Sequence, residues 1–176
     1  MDAEELLEEV KRHRGKRRGG WGLIVVILII VSLGVYWIIR PIVKQADFKI
    51  SGQTFHVRVV HSDKDKEQGL ALFKRPIEKD EGLLMVFDKS GYYSIWMKNV
   101  DYKIDVLWLD SNKKVVHYVE NMDPKSYPET KFVNPNTSAK YVVELPANTI
   151  RDLKIKNGTA SDFNIYSNDI RTVWSF

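Results

Sequence analysis

The chain has 176 residues and a net charge of +4, with 44% hydrophobic and 28% charged residues. That suffices for one domain of ordinary size and excludes collagen-like, low-complexity and wholly disordered chains. There is no cysteine, so disulfides, thiolate metal sites and cysteine nucleophiles are excluded.

Residues 2–10 intersperse Asp2, Glu4, Glu5, Glu8 and Glu9 with Leu6, Leu7 and Val10, a short amphipathic helix at most. Residues 21–39 contain no charge, and Ser32 is their only clearly polar member. A helix of that length covers roughly 28 Å, close to a bilayer core. Trp21 at one end and Tyr36 with Trp37 at the other suit an interfacial belt, and Arg40-Pro41 stops the helix. Lys11, Arg12, Arg14, Lys16, Arg17 and Arg18 precede the run, against Arg40, Lys44 and Lys49 after it. This asymmetry places the N-terminus inside. A cleaved signal peptide would have a shorter apolar run followed by small residues, whereas Ser32 and Gly34 lie inside this one. The expected layout is a cytoplasmic charged tail at 1–20, an uncleaved transmembrane helix at 21–40, a stalk at 41–47 and an extracytoplasmic domain at 48–176. The localisation expected is the cytoplasmic membrane, crossed once.

Half of the net charge belongs to residues 1–40, so the outer domain carries only +2, with lysines and aspartates interspersed. Nucleic acid is therefore not an expected partner.

Along the outer domain, residues 48–50 and 55–60 predict a hairpin turned at Ser51-Gly52. Ser62, three residues before Asp65, predicts the start of a helix that reaches Phe73 and is broken by Arg75-Pro76. Strands are expected at 83–87, 92–98, 104–109 and 115–121, with a tight turn at 110–112 joining the last two. Residues 123–139 read as a surface loop or lid. A strand at 141–145, a short helix from Pro146 to Leu153, a strand at 160–166 and, at 170–174, either a further strand or a loose end complete the chain. The fold class is α+β and β-rich. One compact domain of about seven short strands, a curved sheet or partly open barrel, carries two short helices. A single transmembrane helix precedes it.

The densest chemistry lies between Gly82 and Asp105: Gly-Leu-Leu-Met-Val-Phe at 82–87, Ile-Trp-Met-Lys-Asn at 95–99 and Ile-Asp-Val-Leu-Trp at 104–108. Glu120-Asn121 and Val142 to Asn148 follow. Order and spacing resemble the DUF192 family, also called UPF0127, over residues 54–165. Its blocks G-L-M, G-M-L-F-x-F, F-W-M-K-N-T, P-L-D-I-L-F, E-N and V-L-E-L-x-A-G fall at 69–70, 82–87, 95–100, 103–108, 120–121 and 142–148. The last family Gly-Asp falls at Gly158-Thr159. Val100, Lys103, Asn148 and Thr159 depart from the usual Thr, Pro, Gly and Asp, and the family's Arg falls at Lys74 or Arg75. The resemblance implies a small β-rich domain, often exported or membrane-anchored, and no established reaction.

Asp105 stands in a strand apolar on both faces, where a carboxylate needs a partner. Lys98 and Asn99 are the expected partners across a hairpin, and the alternatives are a ligand-facing carboxylate and a structural one. Trp96 and Lys98 share a face if 92–98 is a strand, with Met97 opposite, so Trp96 serves either as a stacking platform or as core. Glu120 and Glu144 join Asp105 as candidate acid/base carboxylates. His117, Glu120 and Asp123 have metal-like spacing on a helix but not on a strand, so no metal and no cofactor is expected. The candidate ligand-binding set is thus Trp96, Met97, Lys98, Asn99, Asp105, Glu120 and Glu144. The favoured function is a binding or accessory module of the cell envelope, taking a glycan, a peptide or a protein partner. The alternatives are a hydrolase or lyase on envelope polymers, using Asp105, Glu120 or Glu144 with Lys98, and a structural subunit of a membrane complex.

Overall fold

The structure, a computed structural model, describes Glu4 and residues 19–39, 44–127 and 137–167. The expected N-terminal tail helix, most of the 123–139 loop and the 170–174 end lie outside the described residues. The chain divides into two units, Met1–Pro41 and Ile42–Phe176.

In the first unit, α1 (Gly19–Ile39) is a helix of 21 residues. Residues 21–36 are exposed along it, including Leu23, Ile27, Leu28 and Ile30. Among the described residues no helix is long and apolar enough to cross a membrane.

The second unit is built on one sheet. β1 (Lys44–Ile50) and β2 (Gln53–Val60) form the expected hairpin, with Ser51 and Gly52 both at positive φ (48° and 81°), as a type I′ hairpin turn requires. β1 starts at Lys44, inside the segment read as a stalk, because its register continues to the Lys44–Val59 pair. Ser62 caps α2 (Asp63–Gln68), its Oγ accepting from the Asp65 N–H at 3.1 Å. The helix stops at Gly69, earlier than expected, and continues as a 3₁₀ turn over Gly69–Phe73. β3 (Glu81–Gly91) then pairs with β2 in parallel, so residues 61–80 are a crossover. Arg75 closes that crossover with two hydrogen bonds to the Glu81 carboxylate, at 2.7 and 2.8 Å.

β4 (Ile104–Leu109) and β5 (Val115–Met122) are the second expected hairpin. The Asp110 Oδ1 ties its turn by accepting from the Asn112 and Lys114 N–H groups at 2.8 and 2.9 Å. β6 (Ala139–Pro146) lies between β3 and β4, antiparallel to both. α3 (Thr149–Asp152) is a single turn, and β7 (Ser161–Asp162) and β8 (Ile165–Ser167) both pair with β1. The strand expected at 92–98 is absent. Ile95 and Met97 are buried while Tyr92, Ser94 and Lys98 are exposed, so the alternation is real, but the segment joins no ladder beyond one bridge at Ile95.

The sheet order is β5-β4-β6-β3-β2-β1-β7. One core cluster gathers Phe48 and Ala46 of β1 with Leu107 and Leu109 of β4, strands four places apart, so the sheet curls around it as a half-barrel. The opposite face carries a second cluster, with Leu83, Met85, Val106, Trp108 and Val142 covered by Leu70, Ile95, Met97 and Val100. Burial on both faces explains why β4 is apolar throughout apart from Asp105. Gly82 is required by the same packing: a Cβ there would lie 2.7 Å from the Glu144 carbonyl oxygen and 2.9 Å from Leu145.

Candidate functional site

Side chains alternate across a strand, so Glu144 points to the same face as Val142, toward the second cluster. There it forms the floor of a cleft of about 410 Å³. Met85 and Phe87 of β3 share the floor, Asp63, Lys66, Glu67 and Gly69 form one wall, and residues 93–96 form the other. The two walls are pinned together by the Trp96 indole N–H, which donates to the Glu67 carbonyl at 3.1 Å. The Tyr93 ring stacks on Phe87 with centroids 3.5 Å apart. The Lys66 ammonium lies 4.6 Å from the Phe87 centroid and 3.0 Å from an Asp63 carboxylate oxygen.

Glu144 is 3% exposed. Burial pushes its carboxyl up to about 8, opposed by a hydrogen bond from the Leu70 backbone N–H. Its Oε2 has no hydrogen-bond partner among the described residues. Gly69 makes this approach feasible. Its φ of 52° and ψ of −139° are backbone angles that L residues rarely adopt, and a Cβ would stand 3.3 Å from Oε2.

Two of the seven candidate residues meet in the cleft, Trp96 and Glu144. Lys98 is exposed, with its ammonium 5.7 Å from the Trp96 ring, and Asn99 forms a turn at φ 59°. Met97 is packed in the core, and Glu120 is exposed on β5, at the edge of the sheet.

Asp105 is fully buried and does not line the cleft. Its expected partners, Lys98 and Asn99, are replaced by three backbone amides. Oδ1 accepts from Asn121 at 2.8 Å and Asn148 at 3.2 Å, and Oδ2 from Ile150 at 2.7 Å. A register shift between Ile104 and Val106 marks this point of the β4–β5 ladder. Asn121 and Asn148 both take positive φ, 50° and 71°, and the Asn121 side-chain amide donates to the Asn148 Oδ1 at 3.1 Å. Asp105 thus knots β4, β5 and the start of α3.

A model of the DUF192 family, described as "Uncharacterized ACR", matches residues 46–163. The chain belongs to the DUF192 family. A UPF0127 protein from Thermococcus kodakarensis is 34% identical over 55 residues, 31% of either chain. The chain covers about a third of the length of the curated relatives it matches. A candidate transcription regulator from Sinorhizobium meliloti 1021 has a similar structure, with a TM-score of 0.57 and 26% identity, covering 70% of this chain and 93% of that one. So does a protein of unknown function from Novosphingobium aromaticivorans, with a TM-score of 0.58 and 20% identity, covering 69% and 84%.

Two of the departures from the DUF192 pattern, Asn148 and Thr159, have local reasons, and the position of the Arg is settled. Asn148 stands where Gly is usual because its φ of 71° suits only Gly or a residue such as Asn. Arg75, rather than Lys74, holds Glu81. At Thr159 the hydroxyl accepts from the Lys156 N–H at 3.1 Å, a bond that the usual Asp side chain could also accept. The sequence had not pointed to Lys66, Phe87, Tyr93 and Gly69 as lining residues. The one available signal was Gly69-Leu70 after a capped helix, which places a glycine where backbone must approach something closely.

Proposed function

We propose that the chain is a membrane-anchored, extracytoplasmic binding module of the cell envelope, and that the Glu144 cleft holds its ligand. The observation that carries the reading is a cleft with an apolar floor, one aromatic wall and one charged wall, and on the floor a buried carboxyl whose Oε2 has no partner among the described residues. Such a combination of apolar lining with few convergent polar groups is the usual form of a small-molecule site. An envelope glycan or peptide fragment fits that lining. The balanced charge of the outer domain offers nucleic acid no basic face.

The anchor reading rests on the uncharged run at 21–39 and the basic residues before it. The expected result is that the full chain sediments with membranes and is released by detergent but not by high salt. External protease should digest its C-terminal domain in intact spheroplasts. Protection of that domain would reverse the orientation, and release by salt would remove the anchor.

Binding is tested by titrating the full chain in detergent with soluble envelope fragments, followed by tryptophan fluorescence and calorimetry. Trp96→Ala is expected to weaken the response roughly tenfold or more, the value of a lost aromatic contact. Equal binding by the variant, or no binding by any fragment, would remove the cleft from consideration.

A second reading, an enzyme on envelope polymers, draws on Glu144 being poised as a protonated acid with Asp63 and Glu67 lining the same cleft. Bond cleavage in a bound fragment that stops in Glu144→Gln would favour it.

A further inference from the structure

We infer that the cleft takes an uncharged ligand by an acyl carbonyl oxygen, accepted as partner by the Glu144 side chain, and that the ligand class is an N-acetylated amino sugar. This rests on the cleft being a binding site and narrows what it binds.

The floor group decides the polarity of the ligand. Glu144 is almost wholly removed from solvent, and the Leu70 N–H already supplies one donor to it. Oε2 is left without a partner among the described residues. A carboxyl held protonated to about 8 presents an O–H there at neutral pH. A buried donor with no acceptor is costly, and a ligand carbonyl oxygen supplies the missing acceptor.

The charged groups lining the cleft disfavour an anion, and the buried apolar floor disfavours a charge of either sign. The titratable groups facing the floor are, from α2, Asp63, Lys66 and Glu67; from the opposite wall, Tyr93; and from the core beside it, Tyr102, whose hydroxyl is pushed up by burial and by the Glu144 charge. Asp63 and Glu67 repel an anion. Lys66 stays engaged with Asp63 and so offsets part of the attraction these carboxylates hold for an ammonium ligand. An aromatic cage for a cation is also closed, because Phe87 is stacked by Tyr93 and capped by Lys66. What remains beside the carboxyl is Met85 on the floor and Ile95 on the wall, both buried and apolar. A methyl group next to a carbonyl matches that pairing, and Trp96, which lines the wall, is the aromatic side chain that a sugar ring would meet there.

The test uses the full chain in detergent and calorimetry with three probes: the β1,4 disaccharide of N-acetylglucosamine, the same disaccharide with free amines, and N-acetylalanine methylamide. At about pH 6.5 the acetylated disaccharide is expected to bind and the free-amine form to bind at least roughly tenfold more weakly. Raising the pH to about 9.5, about 1.5 units above the Glu144 value, leaves roughly 3% of the carboxyl protonated and is expected to cut affinity roughly 30-fold. Glu144→Gln keeps a donor in that place, so it is expected to bind with less than roughly threefold change over the same range. Equal or tighter binding of the free-amine sugar overturns the acyl reading while leaving the cleft a binding site. Preference for N-acetylalanine methylamide keeps the carbonyl chemistry and overturns the sugar. Failure of both acetylated probes at about 10 mM overturns the inference. The binding reading itself stands or falls separately, on Trp96→Ala with envelope fragments.

Discussion

Replacing Asp105 by alanine is expected to destabilise the domain by about 4 kcal/mol, enough to unfold many domains of this size. The carboxylate is fully buried and accepts three backbone N–H groups, from Asn121, Asn148 and Ile150. Charge-assisted bonds of this kind are roughly twice as strong as neutral ones. Truncation removes them together and leaves donors stranded at the start of α3 and in β5. Asp105→Asn keeps one accepting oxygen but turns an NH₂ group toward the other donors, so about 2–3 kcal/mol is expected for it. Urea denaturation of the full chain in detergent, followed by tryptophan fluorescence, measures both. A loss below about 1 kcal/mol in Asp105→Ala would show that the three amides find other partners and that the knot is not what holds these elements.

The second large effect concerns Glu144 and has the opposite sign at high pH. Its folded value of about 8 lies far above the unfolded value near 4.5. Between those two values the unfolded chain has released the proton while the folded chain still holds it. The contribution of Glu144 to stability is therefore greatest below about pH 4.5, falls as pH rises toward 8, and levels off above that. Every pH unit crossed between the two values costs about 1.4 kcal/mol, so the penalty at pH 9 is several kcal/mol. Glu144→Gln cannot ionise. It is expected to match the wild type within about 1 kcal/mol near pH 5 and to exceed it by about 2–5 kcal/mol at pH 9. Urea midpoints at the two pH values provide the check. A wild-type stability that is flat from pH 5 to 9 would mean that the carboxyl ionises freely in the folded state.

Much of this fold was legible locally. Ser51-Gly52 and the Asp110 turn announced hairpins, and Ser62 announced a helix, because turns and caps depend on a few adjacent residues. Residues 92–98 show where that logic ends. Their alternating burial is what a strand would show, yet ladder pairing depends on a neighbour that the sequence does not name. Glu144 stood out because a carboxylate amid Val142, Val143 and Leu145 has to be explained by its surroundings. The other side of the cleft was not legible, because Lys66 and Glu67 read as an ordinary solvated helix face and Phe87 as core. Asp105 visibly needed partners, but those partners are backbone amides 16, 43 and 45 residues away. Backbone amides carry no residue type to search for. Asn121 and Asn148, two asparagines suited to positive φ, were the only visible trace of them.

The parallel pairing of β2 with β3 has a consequence for when the cleft comes into being. One wall is the crossover that this pairing demands, the other lies beyond β3, and the floor is completed only by Glu144 of β6. No contiguous stretch of chain contains the site. An emerging or partly unfolded polypeptide therefore has neither the pocket nor the raised value of Glu144, since that value exists only once the folded chain has buried the carboxyl. Ligand binding and the high-pH titration of Glu144 should accordingly be gained and lost together, as two reporters of the same completed tertiary structure.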